Sequence, residues 1–392
     1  MKTRYPLSKN SKGIRPTMMT NILKWVIQKD IISFAGGMPD PNLFPLQDIT
    51  EASLKIAMEI GPIALQYAPT EGHGGLREYF ATYFQEKGIK VAPDGLIPIS
   101  GVQQGIHLTC ELFLDAGDSI LITTPTYFGA LQTFDAFLVD YLTIALTEEG
   151  IDLKQLEHIF KTKKPKFFYV IPNFQNPSGI TIPKEQRPAI VHLAKKYKIP
   201  IIEDDVFGDL FFKEPIRPLK SYDPEQVIYL TGFSKTVSSG FRLGFVTPPK
   251  HLVEKYLLAK QLNDVGSSTY AQYIVYELCN NGAFKTLLIK LRKEYKKRRD
   301  ALLKALNDHC QNLCHWTHPE GGMFLWLYLD KKVGAESLLK ACVKQGLVFL
   351  PGSAFFPNRN GGKNELRLSF SNLSTDQIEK GIRLFSKTLR SL

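Results

Sequence analysis

The sequence predicts an α/β fold with a large domain built around a mostly parallel sheet, followed by a smaller α+β domain. Short apolar runs alternate with amphipathic helical patterns from about residue 46 to residue 282, and this alternation is typical of parallel strands joined by helices. Several of the apolar runs end in polar or glycine-rich turns. Open α/β sheets place ligand-binding groups at such strand ends, so the pattern also predicts a binding site along one edge.

The order of these elements divides the 392-residue chain into three parts. The predicted parts are an N-terminal arm with part of the small domain (residues 1–45), the large ligand-binding domain (residues 46–282) and the C-terminal small domain (residues 283–392). A long helix is predicted near residues 284–307, because apolar residues recur there at helical spacing. Strand-like runs follow it at residues 322–327 and 367–370.

Three strand ends in the large domain carry groups suited to a ligand. Residues 96–105 run from an apolar strand into a turn before a helical pattern, so backbone N–H groups at the helix start suit an anion. Residues 167–179 end in a polar turn that contains Asn176. Residues 200–207 form a buried type of strand that ends in carboxylates, including Asp204. Taken alone, each segment is more often an ordinary structural turn.

A fourth strand end places a lysine near an arginine. Lys235 follows the apolar run 226–230, and Arg242 follows across a turn rich in glycine and serine. An amine that forms an imine must be neutral, and partial burial beside a guanidinium disfavours its ammonium form. The guanidinium also binds phosphate oxygens with its planar fork. The pair indicates pyridoxal phosphate, although a surface lysine on a turn explains this segment equally simply.

In this order, the motifs resemble the class I/II pyridoxal-phosphate-dependent aminotransferases of fold type I. The resemblance runs from about Lys12 to the C-terminus and is greatest to the branch of 2-aminoadipate and kynurenine aminotransferases. Its signatures lie in residues 32–45, 64–72 and 365–371. The resemblance implies a large domain with a seven-stranded type of sheet between helices, a pyridoxal 5'-phosphate cofactor, and a homodimer with sites at the subunit interface.

The resemblance also implies catalytic roles for three residues. Lys235 is matched to the imine-forming lysine that shuttles a proton. Asp204 is matched to the partner of the cofactor's pyridine nitrogen, and Tyr127 to the aromatic residue that stacks on the ring. Without the resemblance, Tyr127 is better explained as a core aromatic residue.

Further residues are matched to contacts with the cofactor and the substrate. Asn176 is matched to a donor to the phenolic oxygen and also lies at the substrate. There Arg367 is expected to bind the α-carboxylate with two parallel hydrogen bonds, and Gly37 to bring backbone close. The expected cofactor-binding residues are Tyr67 from a partner subunit, Val102, Gln103, Tyr127, Asn176, Asp204, Phe207, Ser234, Lys235 and Arg242.

Three positions depart from the pattern of this branch. Val102 and Gly232 stand where serine hydroxyls usually bind the phosphate, and Phe207 stands where a tyrosine usually donates to the phenolic oxygen. A neutral hydrogen bond contributes about 0.5–1.5 kcal/mol, and one to a charged group about 1.5–3 kcal/mol. We therefore expect weaker cofactor retention and altered rates rather than loss of the cofactor.

The sequence also bears on the substrate side chain. Aminoadipate and kynurenine enzymes use an arginine of the N-terminal helix for a side-chain carboxylate, whereas Thr20 occupies that position here and Arg15 is the nearest arginine. This difference weakens the case for a dicarboxylic substrate. Apolar residues such as Met38 and Phe44 are candidates for a pocket that accepts aromatic or branched side chains, although core packing also explains them. We expect broad specificity.

Composition limits the alternatives. The net charge of +11 and the basic run at residues 285–304 allow binding to nucleic acid or anionic membranes, but the helical spacing of apolar residues in that run favours a solvated helix face. No window approaches the roughly 20 apolar residues of a membrane span. The five cysteines form no disulfide or zinc pattern, so we expect no metal and a reducing, cytoplasmic location.

Together these observations predict an enzyme that moves an amino group between an L-amino acid and a 2-oxo acid by a ping-pong mechanism. Two alternatives stay open: a pyridoxal-phosphate-dependent lyase or decarboxylase, and a catalytically weak regulatory protein that binds the cofactor. No helix-turn-helix segment precedes the domain, so we do not expect a fused transcriptional regulator. The expected partners are small-molecule substrates and a second copy of the chain, with no nucleic acid and no membrane.

Overall fold

The computed structural model describes residues 5–14 and 31–392. Arg15 and Thr20, which bear on the substrate side chain, lie outside these residues. The described helices are α1 (Leu46–Ala64), α2 (Gly74–Glu86), α3 (Val102–Phe113), α4 (Phe128–Ala136), α5 (Leu153–Thr162), α6 (Arg187–Tyr197), α7 (Val253–Asp264), α8 (Thr269–Asn280), α9 (Ala283–Cys310), α10 (Ala335–Lys344) and α11 (Thr375–Arg390). The strands are β1 (Ile32–Ser33), β2 (Ile97–Ile99), β3 (Ser119–Thr124), β4 (Asp140–Ala145), β5 (Phe168–Val170), β6 (Ile201–Asp204), β7 (Val227–Gly232), β8 (Gly244–Thr247), β9 (Cys314–Trp316), β10 (Phe324–Leu329), β11 (Leu347–Val348), β12 (Leu350–Pro351) and β13 (Glu365–Ser369).

The large sheet contains seven strands in the spatial order β2-β8-β7-β6-β5-β3-β4. Strands β3 to β7 pair in parallel, and β8 runs antiparallel to both of its neighbours. The predicted α/β class with a mostly parallel sheet is confirmed. The strands are nearly continuous apolar runs, because helices cover the sheet and both faces are buried.

Alternation along the strands sends side chains into two separate cores. Ile120 and Ile122 of β3 pack with α3, α4 and α7 on one face, whereas Leu121 between them packs with α5 and α6 on the other. This alternation follows from the two-residue period of a β-strand. Because both faces are closed by helices, the strand ends are where a ligand can approach the sheet.

The small domain contains a four-stranded antiparallel sheet in the order β12-β13-β10-β9. Helix α9 and strands β10 and β13 occupy the places predicted at residues 284–307, 322–327 and 367–370, with shifted ends. Strand β1 pairs in parallel with β11. Residues 31–45, called the N-terminal segment below, therefore begin with a strand that lies against the small domain. The domain boundaries at residues 45/46 and 282/283 stay a prediction.

Helix α9 carries the basic run of the sequence. Its lysines are exposed, whereas Tyr295 and most of its leucines are buried. Its arginines turn inward: Arg292 stacks on Phe211 with 3.8 Å between the guanidinium carbon and the ring centroid, and Arg299 stacks on Phe212 at 5.0 Å. The described residues include no helix that is both long and apolar enough to cross a membrane.

A buried ion pair fixes the N-terminal segment to the small domain. Arg298 Nη2 lies 2.5 Å from Asp40 Oδ2, and both side chains are almost fully buried. Arg298 also donates to the Ser371 carbonyl and to Glu294, while Asp40 accepts from the Asn42 N–H group. Burial by itself raises the pKa of Asp40, but the hydrogen bonds from Arg298 and Asn42 outweigh it and lower the pKa. The pair therefore ties this segment to α9 and to the chain that leaves β13.

We expect Asp40→Asn to lower the free energy of unfolding by about 3 kcal/mol, because the substitution leaves the buried Arg298 charge unpaired. Thermal unfolding followed by circular dichroism measures the loss. The wild-type contribution is present above the ordinary Asp pKa of 3.8 and is lost as pH falls through the lower folded pKa.

Asp308→Asn is the matched control for this substitution. It breaks the exposed pair between Lys304 and Asp308, which is expected to contribute at most about 1 kcal/mol. Equal losses in the two variants would show that burial of the Asp40 pair has no special effect.

Candidate active site

The carboxyl ends of β5, β6 and β7 open into a cavity of about 260 Å³. The lining residues are Gly37, Met38, Val102, Gln103, Tyr127, Phe128, Ile171, Asn176, Asp204, Val206, Phe207, Gly232, Ser234, Lys235, Arg242, Phe324 and Arg367. This set includes every site residue that the sequence predicted except Tyr67, whose side chain is 87% exposed. The sheet brings these residues together because parallel strands deliver their carboxyl ends to one edge.

Asp204 is the last residue of β6 and is buried at the cavity. Its Oδ2 accepts a hydrogen bond of 2.7 Å from the Tyr169 hydroxyl, whereas its Oδ1 has no partner among the described residues. Burial raises the pKa of Asp204 to about 7; the Tyr169 hydrogen bond opposes this shift, and the charge of Asp205 adds to it. The half-satisfied carboxylate suits a cationic N–H donor in the cavity.

Tyr169 is a site residue that the sequence analysis missed. It lies in β5, directly beside β6, with Ile202 as its partner in the register. A tyrosine within an otherwise apolar buried strand is itself a signal, because its buried hydroxyl needs a hydrogen-bond partner. Only the pairing of β5 with β6 shows that this partner is Asp204.

Lys235 closes a short 3-10 turn that follows β7. Its Nζ donates a hydrogen bond of 2.8 Å to the Gly37 carbonyl of the N-terminal segment. Burial lowers the pKa of Lys235 to about 8, the charges of Arg367 and Arg242 act in the same direction, and Asp204 opposes them. At pH 7 roughly one amine in ten is therefore neutral, and Lys235 is suited to attack a carbonyl.

Arg367 brings a buried positive charge to the opposite side of the cavity. Its Nη2 donates to the Ala35 carbonyl at 2.5 Å and its Nη1 to Asn176 Oδ1 at 2.8 Å, while its Nε has no partner among the described residues. The guanidinium carbon lies 4.2 Å from the centroid of the Phe324 ring. None of the ion pairs within residues 31–392 includes Arg367. Its charge is therefore suited to a ligand carboxylate.

The hydrogen bond from Arg367 also orients Asn176. Because Asn176 Oδ1 accepts from the guanidinium, the amide nitrogen Nδ2 is the group left to donate. Asn176 lines the cavity, so this donor is placed beside the carboxylate-binding group and faces the same ligand.

Arg242 and the N-terminus of α3 form the anion-binding end of the cavity. Gly101, which precedes α3, has φ +86, and a Cβ there would lie 2.5 Å from Arg242 Nη2, so only glycine fits. Arg242 reaches Ser234 Oγ at 3.3 Å and the Ser239 and Ser100 carbonyls at 3.5 Å. These long contacts, together with the first-turn N–H groups of α3, leave donors for a phosphate.

Helix α4 positions Tyr127 and Gln103. Gln103 Nε2 donates to the Gly129 carbonyl at 2.8 Å and to Thr133 Oγ1, so the side chain joins α3 to α4 and its backbone N–H is the group available to an anion. A Cβ at Gly129 would lie 2.4 Å from the Tyr127 hydroxyl. Glycine therefore makes room for the Tyr127 ring, which lines the cavity.

The sequence analysis also missed the apolar walls of the cavity. Phe128, Ile171, Val206 and Phe324 line it, yet each belongs to an apolar pattern that core packing explains equally well. Their position next to polar strand ends is the only sequence signal that distinguishes the first three from ordinary core residues.

The chain matches the family model described as aminotransferase class I and II over residues 29–385. Among its relatives, aromatic-amino-acid aminotransferase 1 of Thermococcus litoralis is 35% identical, over 98% of this chain and 94% of the relative. Both proteins are thus alike over nearly their full lengths.

Two solved structures are similar to this chain over nearly its full length. The α-aminoadipate aminotransferase of Thermus thermophilus, complexed with N-(5'-phosphopyridoxyl)-L-leucine, has a TM-score of 0.92 and 35% identity, with 98% of this chain and 97% of the other covered. The kynurenine aminotransferase of Pyrococcus horikoshii has a TM-score of 0.93 and 34% identity at the same coverage. The chain therefore belongs to the aminotransferase class I and II family, and it is a pyridoxal-phosphate-dependent aminotransferase.

Proposed function

We propose that the protein transfers the amino group of L-amino acids with aromatic, branched-chain or 2-aminoadipate-type side chains to 2-oxo acids, with broad specificity. The observation that carries this proposal is the cavity itself. It combines a buried guanidinium without a counterion, a buried lysine of lowered pKa and a half-satisfied carboxylate, and aromatic side chains line the remaining wall.

The residues of the cavity fit pyridoxal phosphate. The buried Asp204 Oδ1 has no partner among the described residues, and a protonated pyridine nitrogen supplies the donor that it lacks. Asn176 Nδ2 would donate to the phenolic oxygen, the Tyr127 ring would stack on the cofactor, and Phe207 offers no hydroxyl donor. Arg242 would bind the phosphate, together with the Ser234 hydroxyl and the N–H groups of residues 102 and 103.

When bound, the cofactor acts as an electron sink that makes the Cα–H bond of an attached amino acid acidic. Asp204 holds the proton of the ring nitrogen and so maintains that sink. The Lys235 amine would be the base that accepts the substrate Cα proton and the acid that returns it. Burial, and then the charges of Arg367 and Arg242, favour the neutral form of this amine because they lower its pKa.

The substrate carboxylate and side chain occupy different parts of the cavity in this proposal. Arg367 binds the α-carboxylate through Nε and an Nη nitrogen, and the Gly37 backbone lies beside it. Met38, Phe128 and Phe324 line the remaining space, which suits aromatic and branched side chains. Lys235, Arg242 and Arg367 are the only cations among the described lining residues. Relatives named for aromatic amino acids, α-aminoadipate and kynurenine support a broad range.

We also propose that the active unit is a homodimer in the cytoplasm, with Tyr67 binding the phosphate of the partner subunit's site. Strongly exposed apolar side chains gather near Tyr67 at the ends of α1 and α7; they are Met58, Ile63, Leu65, Leu262 and Val265. Thr70 donates to the Val265 carbonyl at 2.6 Å, so the two helix ends are neighbours. Such a patch favours burial against a second copy. Five free, buried cysteines suit a reducing compartment.

The two positions that lack phosphate-binding hydroxyls face each other. A Cβ on Gly232 would lie 3.4 Å from Val102 Cγ2, which is an ordinary contact, and Gly232 has an extended φ of −164. A serine therefore fits at position 232 without strain. Val102 and Gly232 both line the cavity and neither supplies a hydroxyl, so we expect Arg242 and backbone N–H groups to carry most of the phosphate binding.

We expect the near-visible absorption band of the bound cofactor to be lost on adding an accepted amino acid and restored by a 2-oxo acid. Single additions of L-phenylalanine, L-leucine, L-2-aminoadipate and L-glutamate establish the substrate range. Lys235→Ala is expected to slow turnover by at least about 10²–10⁴-fold, because it removes the proton-transferring amine.

Lys290→Ala, at an exposed position of α9, is the control and should leave turnover unchanged. Full activity of Lys235→Ala would contradict the proposed role of Lys235. A response to glutamate alone would contradict the proposed substrate class.

We expect Gly232→Ser to lower the dissociation constant of pyridoxal phosphate by about tenfold, because it adds one hydrogen bond to a charged phosphate. Val102→Thr keeps the shape of the side chain, adds a second hydroxyl and should lower the constant further. Equilibrium dialysis against cofactor-free protein gives the values. Gly232→Ala fills the same space without a hydroxyl, so equally tight binding by this control would refute the explanation.

A mixture of two inactive variants tests whether Tyr67 acts across the interface. In a hybrid of Lys235→Ala and Tyr67→Ala subunits, one site has an intact Lys235 from one chain and an intact Tyr67 from the other. We expect mixing under conditions of subunit exchange to restore activity at limiting cofactor. Activity that stays at the mean of the separate variants would show that Tyr67 does not act on a partner's site.

A further inference from the structure

Asp205 is a buried carboxylate that none of the proposed cofactor contacts uses. It directly follows β6, and its N–H group continues the ladder by donating to the Leu230 carbonyl at 2.8 Å. Because successive strand residues point to opposite sides, Asp204 lines the cavity whereas Asp205 is absent from the lining. Its side chain is 3% exposed. A carboxylate at such a position needs partners that account for its charge.

The hydrogen bonds around Asp205 occupy both of its carboxylate oxygens. Arg187 Nη2 donates to Asn173 Oδ1 at 2.6 Å, which fixes the amide so that Asn173 Nδ2 donates to Asp205 Oδ1 at 2.8 Å. The Tyr229 hydroxyl donates to Asp205 Oδ2 at 2.8 Å. Both carboxylate oxygens therefore have a neutral partner, and this arrangement suits an ionised carboxylate.

The two direct partners of Asp205 carry no charge, and Arg187 attracts it electrostatically without a direct hydrogen bond. Asn173 and Tyr229 are neutral, and the ion pairs of residues 31–392 do not include Asp205. Arg187 lies one amide away and also donates to the Ile182, Arg217 and Pro172 carbonyls. In a dry interior such a charge acts on its neighbours with little screening.

The local backbone is shaped around this carboxylate. A Cβ on Gly208 would lie 2.4 Å from Asp205 Oδ1. The space beside the carboxylate thus excludes any larger residue at position 208, and this tight packing keeps the charge at a fixed place behind Asp204.

We propose that Asp205 is a positioning residue that acts electrostatically through Asp204, holding the proton that Asp204 and the cofactor ring nitrogen share. The proposal rests on the proposed role of Asp204. A nearby anion stabilises a cation and raises proton affinity, so loss of the Asp205 charge lowers the pH at which the cofactor gives up its proton. It also weakens the electron sink on which the rate depends.

Several other ionisable groups surround this proton and stay unchanged when Asp205 is replaced. They are Glu203 on the same strand, Tyr169 from β5, Tyr229 from β7, Tyr127 before α4, Lys235 and Arg242 after β7, Arg187 from α6 and Arg367 from β13.

Asp205→Asn tests the proposal in the holoenzyme. Asparagine has the same shape, still accepts from Asn173 and can donate to the Tyr229 oxygen, so the charge is what changes. Tyr229→Phe is the matched control, because it removes a hydrogen bond to Asp205 but keeps the charge. The readouts are the pH titration of the cofactor ring nitrogen by 15N NMR, kcat and KM separately, and the dissociation constant of pyridoxal phosphate.

We expect Asp205→Asn to move the titration midpoint down by about one pH unit and to lower kcat at least about tenfold, with KM for the amino acid within about twofold. Tyr229→Phe should leave the midpoint within a few tenths of a unit. Asp205→Ser, which also lacks the charge in a smaller side chain, should shift the midpoint in the same direction, so the test does not depend on one variant folding.

An unchanged midpoint in Asp205→Asn, or equal shifts in Asp205→Asn and Tyr229→Phe, would overturn the proposal and leave Asp205 a purely structural role. Failure of the proposed function looks different. In that case the wild-type protein itself shows no cofactor band, or Asp204→Ala binds the cofactor as tightly as wild type, and the Asp204 role on which the inference rests is refuted as well.

Discussion

The site depends on buried charged groups that form no close ion pair among the described residues. Within this part of the chain, Asp204 has one carboxylate oxygen without a partner, Arg367 has an Nε without a partner, and Lys235 donates to a neutral carbonyl. Burying such groups costs free energy, which the three hydrophobic cores of the described residues must offset. A ligand with a cationic ring nitrogen and a carboxylate supplies the missing partners. The unpaired groups therefore favour binding of that ligand over ligands that lack these charges.

The N-terminal segment completes the site from outside the large sheet. Its Gly37 carbonyl accepts from Lys235 and its Ala35 carbonyl accepts from Arg367, so it touches both the amine and the carboxylate-binding group. The buried pair of Asp40 and Arg298 holds the segment against α9. Strand pairing between β1 and β11 fixes its other end. The shape of the candidate site therefore depends on contacts that join residues 35–40 to the C-terminal part of the chain.

Three positions depart from the pattern of the resembled branch: Val102, Phe207 and Gly232. None of them carries a charge, so the charged residues of the candidate site are unaffected. Val102 and Gly232 replace hydroxyls at the phosphate end with an apolar contact. Phe207 packs edge-on against Phe324 at 5.5 Å between ring centroids, and Phe324 in turn lies under the Arg367 guanidinium. The ring at position 207 therefore supports the ring against which Arg367 packs, whether or not it carries a hydroxyl. Electrostatic stabilisation of the transition state is usually the largest single contribution to catalysis. We therefore expect the unchanged charged residues to matter more than the three altered positions.

The sequence by itself determined the α/β class and the strand-end positions of Asn176, Asp204 and Lys235. Hydrophobic periodicity shows which residues form strands, and parallel strands bring their carboxyl ends to one edge. Only the tertiary structure decided which partners those residues meet. The hydrogen bonds from Tyr169 to Asp204 and from Tyr229 to Asp205 arise from strand order, and strand order is set by long-range packing that no local pattern reports.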